Sequence, residues 1–155
     1  HGLPPRSLPA AYAKAVYWGI YYSIGYYFTV WPDLARSRMA LNHRYFVDSI
    51  ADPKRYRYKG PIWLLKLVWK VAVKPDVIIL LDAPAEVVQA RKKEVTFEET
   101  ARQRGAYRSL VEPMRNGHVV DATQPAAKVA ADVEKIILDH LAVRTARRFG
   151  LKDVT

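Results

Sequence analysis

The chain has no cysteine among its 155 residues, which excludes both a disulfide framework and a thiolate metal site. Its four histidines, His1, His43, His118 and His140, show no metal-ligand spacing. No internal repeat and no low-complexity linker is visible. Acids are scarce: 15 Asp and Glu stand against 25 Lys and Arg, a net charge of +10. That excess suits an anionic partner, whether nucleotide phosphates, nucleic acid or an acidic membrane surface; the plain alternative is a solvated basic surface. A clean membrane span is missing too. The apolar run over residues 15–31 falls short of the about 20 residues a span needs. It has Lys14 at its edge and carries Tyr17, Tyr21, Tyr22, Tyr26 and Tyr27, a residue type that prefers membrane interfaces to the bilayer centre. The run is read as a helix buried within a globular domain and offering some hydroxyls to a cleft.

What is present is one domain's worth of chain, half of it hydrophobic, enough to build a core. The first residue is His1 rather than Met, so the chain is read as the later part of a longer protein. The first apolar run lacks a basic leader and a small-residue cleavage site, no signal peptide is expected, and a cytoplasmic setting is the default. The most informative stretch is Pro75-Asp-Val-Ile-Ile-Leu-Leu-Asp-Ala-Pro84. A short strand apolar on both faces belongs inside a parallel sheet covered by helices, and chemistry in such sheets sits beyond the carboxyl ends of the strands. This strand ends in Asp82. Strands are expected at about 38–42, 77–81 and 118–121, the last also ending in an acid, Asp121. A helical part is expected over 8–36, with Pro9 in its first turn. Further helices are expected over 62–73 and 85–92, then from a Thr96/Glu99 capping box to about 111, and over about 125–149. Alternating strands and helices make this an α/β fold.

The order of these pieces resembles the thymidylate kinase family of nucleoside monophosphate kinases. His43-Arg44-Tyr45 stands where that family has Asp-Arg-Tyr or Asp-Arg-His at a strand end. Residues 76–93 resemble its fourth strand, the following helix and the start of the lid, which would cover about 91–104. Arg102-Gln-Arg104-Gly-Ala-Tyr107 resembles its Arg-x-Arg-x-x-Tyr helix, and Val120-Asp-Ala-Thr-Gln-Pro125 its adenine-framing loop. The resemblance implies a three-layer parallel sheet flanked by helices, ATP with Mg²⁺ as donor, and nucleotides as partners. It leaves homodimerisation through the aromatic helix open, and favours neither nucleic acid nor membrane.

Two departures qualify what the resemblance implies. No Gly-x-x-x-x-Gly-Lys-Ser/Thr run occurs, so the backbone amides that cradle ATP phosphates are lacking. With the loop go the first two strands of the family sheet, and the chain alone is expected to be marginal and inactive unless they are supplied. Second, His43 replaces the motif's Asp, and imidazole gives a hard cation no fixed negative charge.

Within the resemblance, Arg44 would fork onto the acceptor phosphate, with Arg91, Arg102 and Arg104 on the lid side. Arg102 and Arg104 are two apart on a helix and diverge. His43, Tyr45, Asp48 and Tyr107 would serve the acceptor, with Asp48 standing in for the carboxylate lost at His43. Asp82 would serve the phosphate region or cap the next helix, and Asp121, Ala122, Thr123 and Gln124 would frame adenine. Lys54, Arg55 and Arg57 interleave with Tyr56 and Tyr58, a pattern that closes over a mononucleotide or stacks on single-stranded nucleic acid; the first is preferred. The leading function is a nucleotide-monophosphate phosphotransferase. A non-catalytic nucleotide- or partner-binding relative and a basic membrane- or nucleic-acid-associated module are the alternatives.

Overall fold

The computed structural model describes residues 6–151. They fall into two compact units that divide between Lys74 and Pro75.

The first unit is helical. Helix α1 (Leu8–Ile20) continues through one π-helical turn, Tyr21–Gly25, into α2 (Tyr26–Thr29) and α3 (Trp31–Ala35). Pro9 lies in the first turn of α1, and Pro32 in that of α3, where a missing N–H costs no helical bond. The wide turn falls where Ser23 and Gly25, weaker helix formers, interrupt the aromatic run. Only Ala11, Ala15 and Trp18 of α1 are buried. They form the face that packs on α5 (Ile62–Val71), which buries Leu65 and Val68 in return. The expectation of a buried aromatic helix is thus corrected. Tyr17, Tyr21, Tyr27, Phe28 and Trp31 are each about half exposed or more, because the small residues and Trp18, not the tyrosines, share the face that meets α5.

Phe46, at 1% exposure, is the centre of this unit. It precedes the short helix α4 (Val47–Ala51) and stacks on Trp69 with ring centroids 6.2 Å apart and 5° between planes. Trp18 and Tyr22 meet it edge-on at 5.9 and 5.4 Å, geometries that suit the ring quadrupole. Residues 38–42, expected as a strand, are irregular and exposed. A strand exists only where a neighbour takes its backbone bonds, and none among the described residues does so here.

In the second unit β1 (Ile78–Asp82) and β2 (Gly117–Asp121) pair in parallel, with Ile78 opposite Gly117 and Asp82 opposite Asp121. The described residues hold two strands, not three, in one sheet. Helix α6 (Ala85–Arg91) follows β1, and α7 (Phe97–Val111) packs on α6 and on both strands. Thr96 caps α7, its hydroxyl accepting from Glu99 N–H at 3.3 Å. Gln89 ties α6 to α7, donating to Thr100 Oγ1 at 2.7 Å and to the Val95 carbonyl at 2.8 Å. The close approach of β2 to the end of α7 depends on Gly117: a Cβ there would lie 2.2 Å from the Val111 carbonyl oxygen. The long helix α8 (Ala126–Arg148) packs on β2. Its last turn carries Arg147 and Arg148, which suit the negative end of the helix dipole. The fold is mixed α/β with a small parallel sheet. The opening Gly-Leu-Pro-Pro run and His1 lie outside the described residues.

Candidate functional site

The register of the parallel pair brings two acids together at the carboxyl edge of the sheet. Asp82 is buried and Asp121 exposed, and the Ala122 N–H donates to the Asp82 carbonyl at 2.7 Å, carrying the ladder one step further. Helix α7 runs past this edge. Arg104 forks onto Asp82, Nε to Oδ1 at 2.8 Å and Nη2 to Oδ2 at 2.9 Å. Arg108, one turn later, donates from Nη1 to Oδ2 at 2.8 Å and from Nη2 to Glu112. The hydrogen bond from Arg104, with that from Arg108, holds the Asp82 carboxyl below its ordinary range, although burial pushes the other way. The reading of Asp82 as a helix cap is corrected: α6 has no side-chain cap bond at its start, and both carboxylate oxygens are turned to the guanidiniums.

Arg102, two residues from Arg104, points elsewhere and pairs with Glu99 at 2.7 Å. Spacing decides this, since residues four apart share a helix face and residues two apart do not. Arg108 was missed because the resemblance stopped at Tyr107; its i+4 spacing from Arg104 was the available signal. Tyr107 is partly buried on α7, and Arg91 lies exposed at the end of α6. Asp121 folds back on its own turn. It accepts from Thr123 N–H at 2.8 Å, Thr123 Oγ1 at 2.6 Å and Gln124 Nε2 at 3.1 Å, and these bonds, the Thr123 hydroxyl first, lower its pKa. The turn leaves Thr123 and Gln124 exposed and Ala122 half-buried.

In the first unit two of the candidates, Arg44 and Asp48, act on Tyr56. Arg44 is exposed, and its charge acts on the Tyr56 side chain. Burial first, and then the charge of Asp48, raises the Tyr56 pKa, while Arg44 and Arg55 draw it down. Asp48 also contributes to the rise at Tyr22, where burial dominates and the pKa reaches about 12. Tyr45 is structural at its tip: its hydroxyl donates to the Val73 carbonyl at 2.6 Å, and burial pushes it to about 12. His43 is exposed. The cationic loop is built on Asp52, 1% exposed, which accepts from Arg55 N–H at 3.2 Å, with Arg57 N–H bonded to the Lys54 carbonyl and Tyr58 N–H to the Pro53 carbonyl, each at 2.9 Å. Lys14 of α1, which the sequence did not single out, reaches the Tyr56 carbonyl.

Among the described residues no group of three or more His, Cys, Asp or Glu could hold a metal ion. With Asp82 committed to two arginines and Asp121 to its own turn, the side chains here do not fit a protein-held Mg²⁺. Among the same residues no helix is long and apolar enough to cross a membrane.

A parallel strand pair ending in two acids, with arginines from the neighbouring helix gathered on one of them, defines an α/β protein with a charged carboxyl edge. No family model matches the chain. Curated relatives do. It is 36% identical over 118 residues to a probable thymidylate kinase of Staphylothermus marinus, covering 71% of this chain and 58% of that protein. It is 35% identical over 108 residues to probable thymidylate kinase 1 of Saccharolobus solfataricus, covering 63% and 53%. It is 26% identical over 111 residues to a probable thymidylate kinase of Methanobrevibacter smithii, covering 69% and 54%. The chain is a relative of the thymidylate kinase family, and it spans about half the length of the curated relatives it matches.

Proposed function

We propose that the chain contributes the acceptor- and adenine-binding parts of a nucleoside monophosphate kinase. In that reaction an acceptor phosphate oxygen, on dTMP or a related phosphate, attacks the γ-phosphorus of ATP. The β–γ bridging bond breaks and ADP leaves. The observation that carries the reading is the sequence relationship to three thymidylate kinases. The exposed Arg44 and the self-braced Asp121–Gln124 turn are consistent with it.

Each residue has a task in this reading. Phosphoryl transfer asks for positioning and for cations around a charged transition state. Arg44 binds the acceptor phosphate, beside Tyr56, Asp48 and His43, and Tyr45 supports them through its bond to Val73. The Asp121–Gln124 turn frames adenine through backbone groups. Arg91, Arg102, Arg104 and Tyr107 belong to the lid side, and Arg102 and Arg104 reach a phosphate only by releasing Glu99 and Asp82. Mg²⁺ arrives on the phosphates of ATP. The reading carries with it a three-layer sheet with more strands than the two described. The glycine-rich loop must come from outside these 155 residues, so the chain alone binds without turnover. A cytoplasmic setting and homodimerisation through the exposed aromatic face of α1 and α2 belong to the same reading.

The test is nucleotide binding by calorimetry, followed by ADP release once the chain is combined with an amino-terminal strand-and-loop segment of a thymidylate kinase. Arg44→Ala should weaken dTMP binding about tenfold or more, as for loss of a charge-assisted fork, and leave ATP binding unchanged. Absence of binding by both nucleotides would remove the reading. Binding with no turnover in the combined protein, unrelieved by His43→Asp, would favour a non-catalytic relative, a reading that the histidine in the motif's Asp position supports.

A further inference from the structure

The two arginines on Asp82 are not equivalent. Arg104 holds both oxygens of the carboxylate, at 2.8 and 2.9 Å. Arg108 meets Oδ2 alone, at 2.8 Å, and gives its Nη2 to Glu112. Their spacing of four on α7 sets both guanidiniums on one helix face, so they reach the same carboxylate from successive turns. The carboxylate is sunken, its side chain 9% exposed, whereas those of Arg104 and Arg108 are 36% and 41% exposed. A dissolved anion can therefore reach the cations but not the acid beneath them. The cluster lies at the carboxyl end of the parallel pair β1 and β2, the edge at which sheets of this kind bind ligands.

A buried acid with one cation pins that cation, because its departure strands a charge away from water. Asp82 differs in having a second cation already in place. If Arg104 swings out, Oδ2 keeps its bond from Arg108 and only Oδ1 loses its donor. Arg108 is in turn moored by Glu112, one turn further along the same helix. Arg104 is thus the arginine free to leave, and Arg108 the one that remains. Arg104 stays charged with either partner: the Asp82 bond first, and more weakly the charge of Glu86, raise its pKa.

We propose that Arg108 is a positioning residue: it remains on Asp82 as the retained counter-ion and so releases Arg104 to bind the phosphoryl oxygens of a polyphosphate ligand at the carboxyl edge of β1 and β2. Arg104 touches the phosphate, and Arg108 acts through Asp82. The inference rests on the kinase reading in one respect, the assignment of Arg104 to the lid side.

The test uses the full chain and inorganic tripolyphosphate at low salt, with calorimetry for affinity and the arginine Nε–Hε signals in NMR for location. Tripolyphosphate should bind saturably and shift the Arg104 signal, while that of Arg108 moves little. Arg108→Gln should weaken binding about tenfold, because releasing Arg104 then strands Asp82. Arg108→Lys, which keeps a charge beside the carboxylate, should restore most of it. In an Asp82→Asn background no charge is stranded, so Arg108→Gln should have no further effect on affinity. That cycle separates the proposal from its rivals. An Arg108 that touches phosphate itself would weaken binding equally in both backgrounds. An Arg108 that only stabilises the fold would lower the melting temperature and leave affinity unchanged. Either result overturns the proposal, as does an unmoved Arg104 signal or the absence of binding. Should Arg108→Gln fail to fold, Glu112→Gln carries the test: it leaves Arg108 wholly to Asp82 and should tighten binding about twofold, the size of an exposed ion pair, whereas unchanged or weaker binding would overturn the idea. Failure of dTMP and ATP to bind, with Arg104 still answering tripolyphosphate, would support this proposal and count against the kinase reading. Binding of both nucleotides, with tripolyphosphate affinity indifferent to Arg108→Gln, would sink this proposal alone.

Discussion

Asp82 Oδ2 accepts from Arg108 Nη1 at 2.8 Å while Arg104 holds both oxygens of the same carboxylate. A buried strand end and one helix face are thus joined by a three-membered ion cluster. The carboxylate is the shared member, so its loss should matter more than loss of either arginine. Asp82→Ala is expected to cost about 1–3 kcal/mol in urea unfolding, the range for charge-assisted hydrogen bonds lost at a buried group. An equal or larger cost for Arg108→Ala would contradict this.

The same cluster predicts an acid-sensitive contribution. Asp82 titrates below its ordinary 3.8 in the folded protein. The unfolded chain therefore takes up the proton first as pH falls, so the contribution is present above about 3.8 and is lost as pH drops through the folded value. Unfolding curves of wild type and Asp82→Asn should differ most near neutral pH and draw together only as pH falls below about 3.8.

At the alkaline end Tyr22 and Tyr45 should ionise late, near pH 12. Ultraviolet difference titration should show a late phenolate phase that shrinks with Tyr22→Phe and again with Tyr45→Phe. Because these pKa values are raised on folding, the unfolded chain loses its protons first. The first unit should lose stability as pH rises above about 10, the ordinary tyrosine value. A single unshifted tyrosine transition would refute the burial of both rings.

Gly117→Ala places a methyl 2.2 Å from the Val111 carbonyl oxygen, a backbone atom that cannot swing aside. The expected cost is about 1–3 kcal/mol, as for other overpacked sites. Melting temperature reports it directly, and an unchanged value would mean that β2 does not approach α7 this closely.

Thr96→Ala removes the hydroxyl that accepts from Glu99 N–H. Loss of such a cap costs about 1 kcal/mol. Thr96→Ser should restore most of it, since serine offers the same acceptor; failure of that rescue would assign the loss to the methyl's packing instead.

The helices after Asp82 and the acid-tipped strands were legible because their signals are local. An apolar run bounded by Pro75 and Pro84, a Thr-x-x-Glu start at Thr96 and the Asn116-Gly117 turn each act within a few residues. The divergence of Arg102 from Arg104 followed from helical spacing alone. Residues 38–42 misled because β-propensity describes a side chain's fit to a sheet and supplies no neighbour. The tyrosine-rich run misled in a similar way: its apolarity was plain, but the side chosen by α5 was the one bearing Ala11, Ala15 and Trp18.

Sequence by itself determined the element types from Ile78 onward, the acids at the strand tips, the cationic loop and the relationship to thymidylate kinases, all of which are encoded in short runs of residues. Only the tertiary structure decided that Asp82 faces Arg104 and Arg108 rather than capping a helix, and that Lys14 meets Tyr56 across 42 positions of chain. Such pairings depend on which faces remain after the apolar surfaces have packed, and that choice is made by the folded chain as a whole.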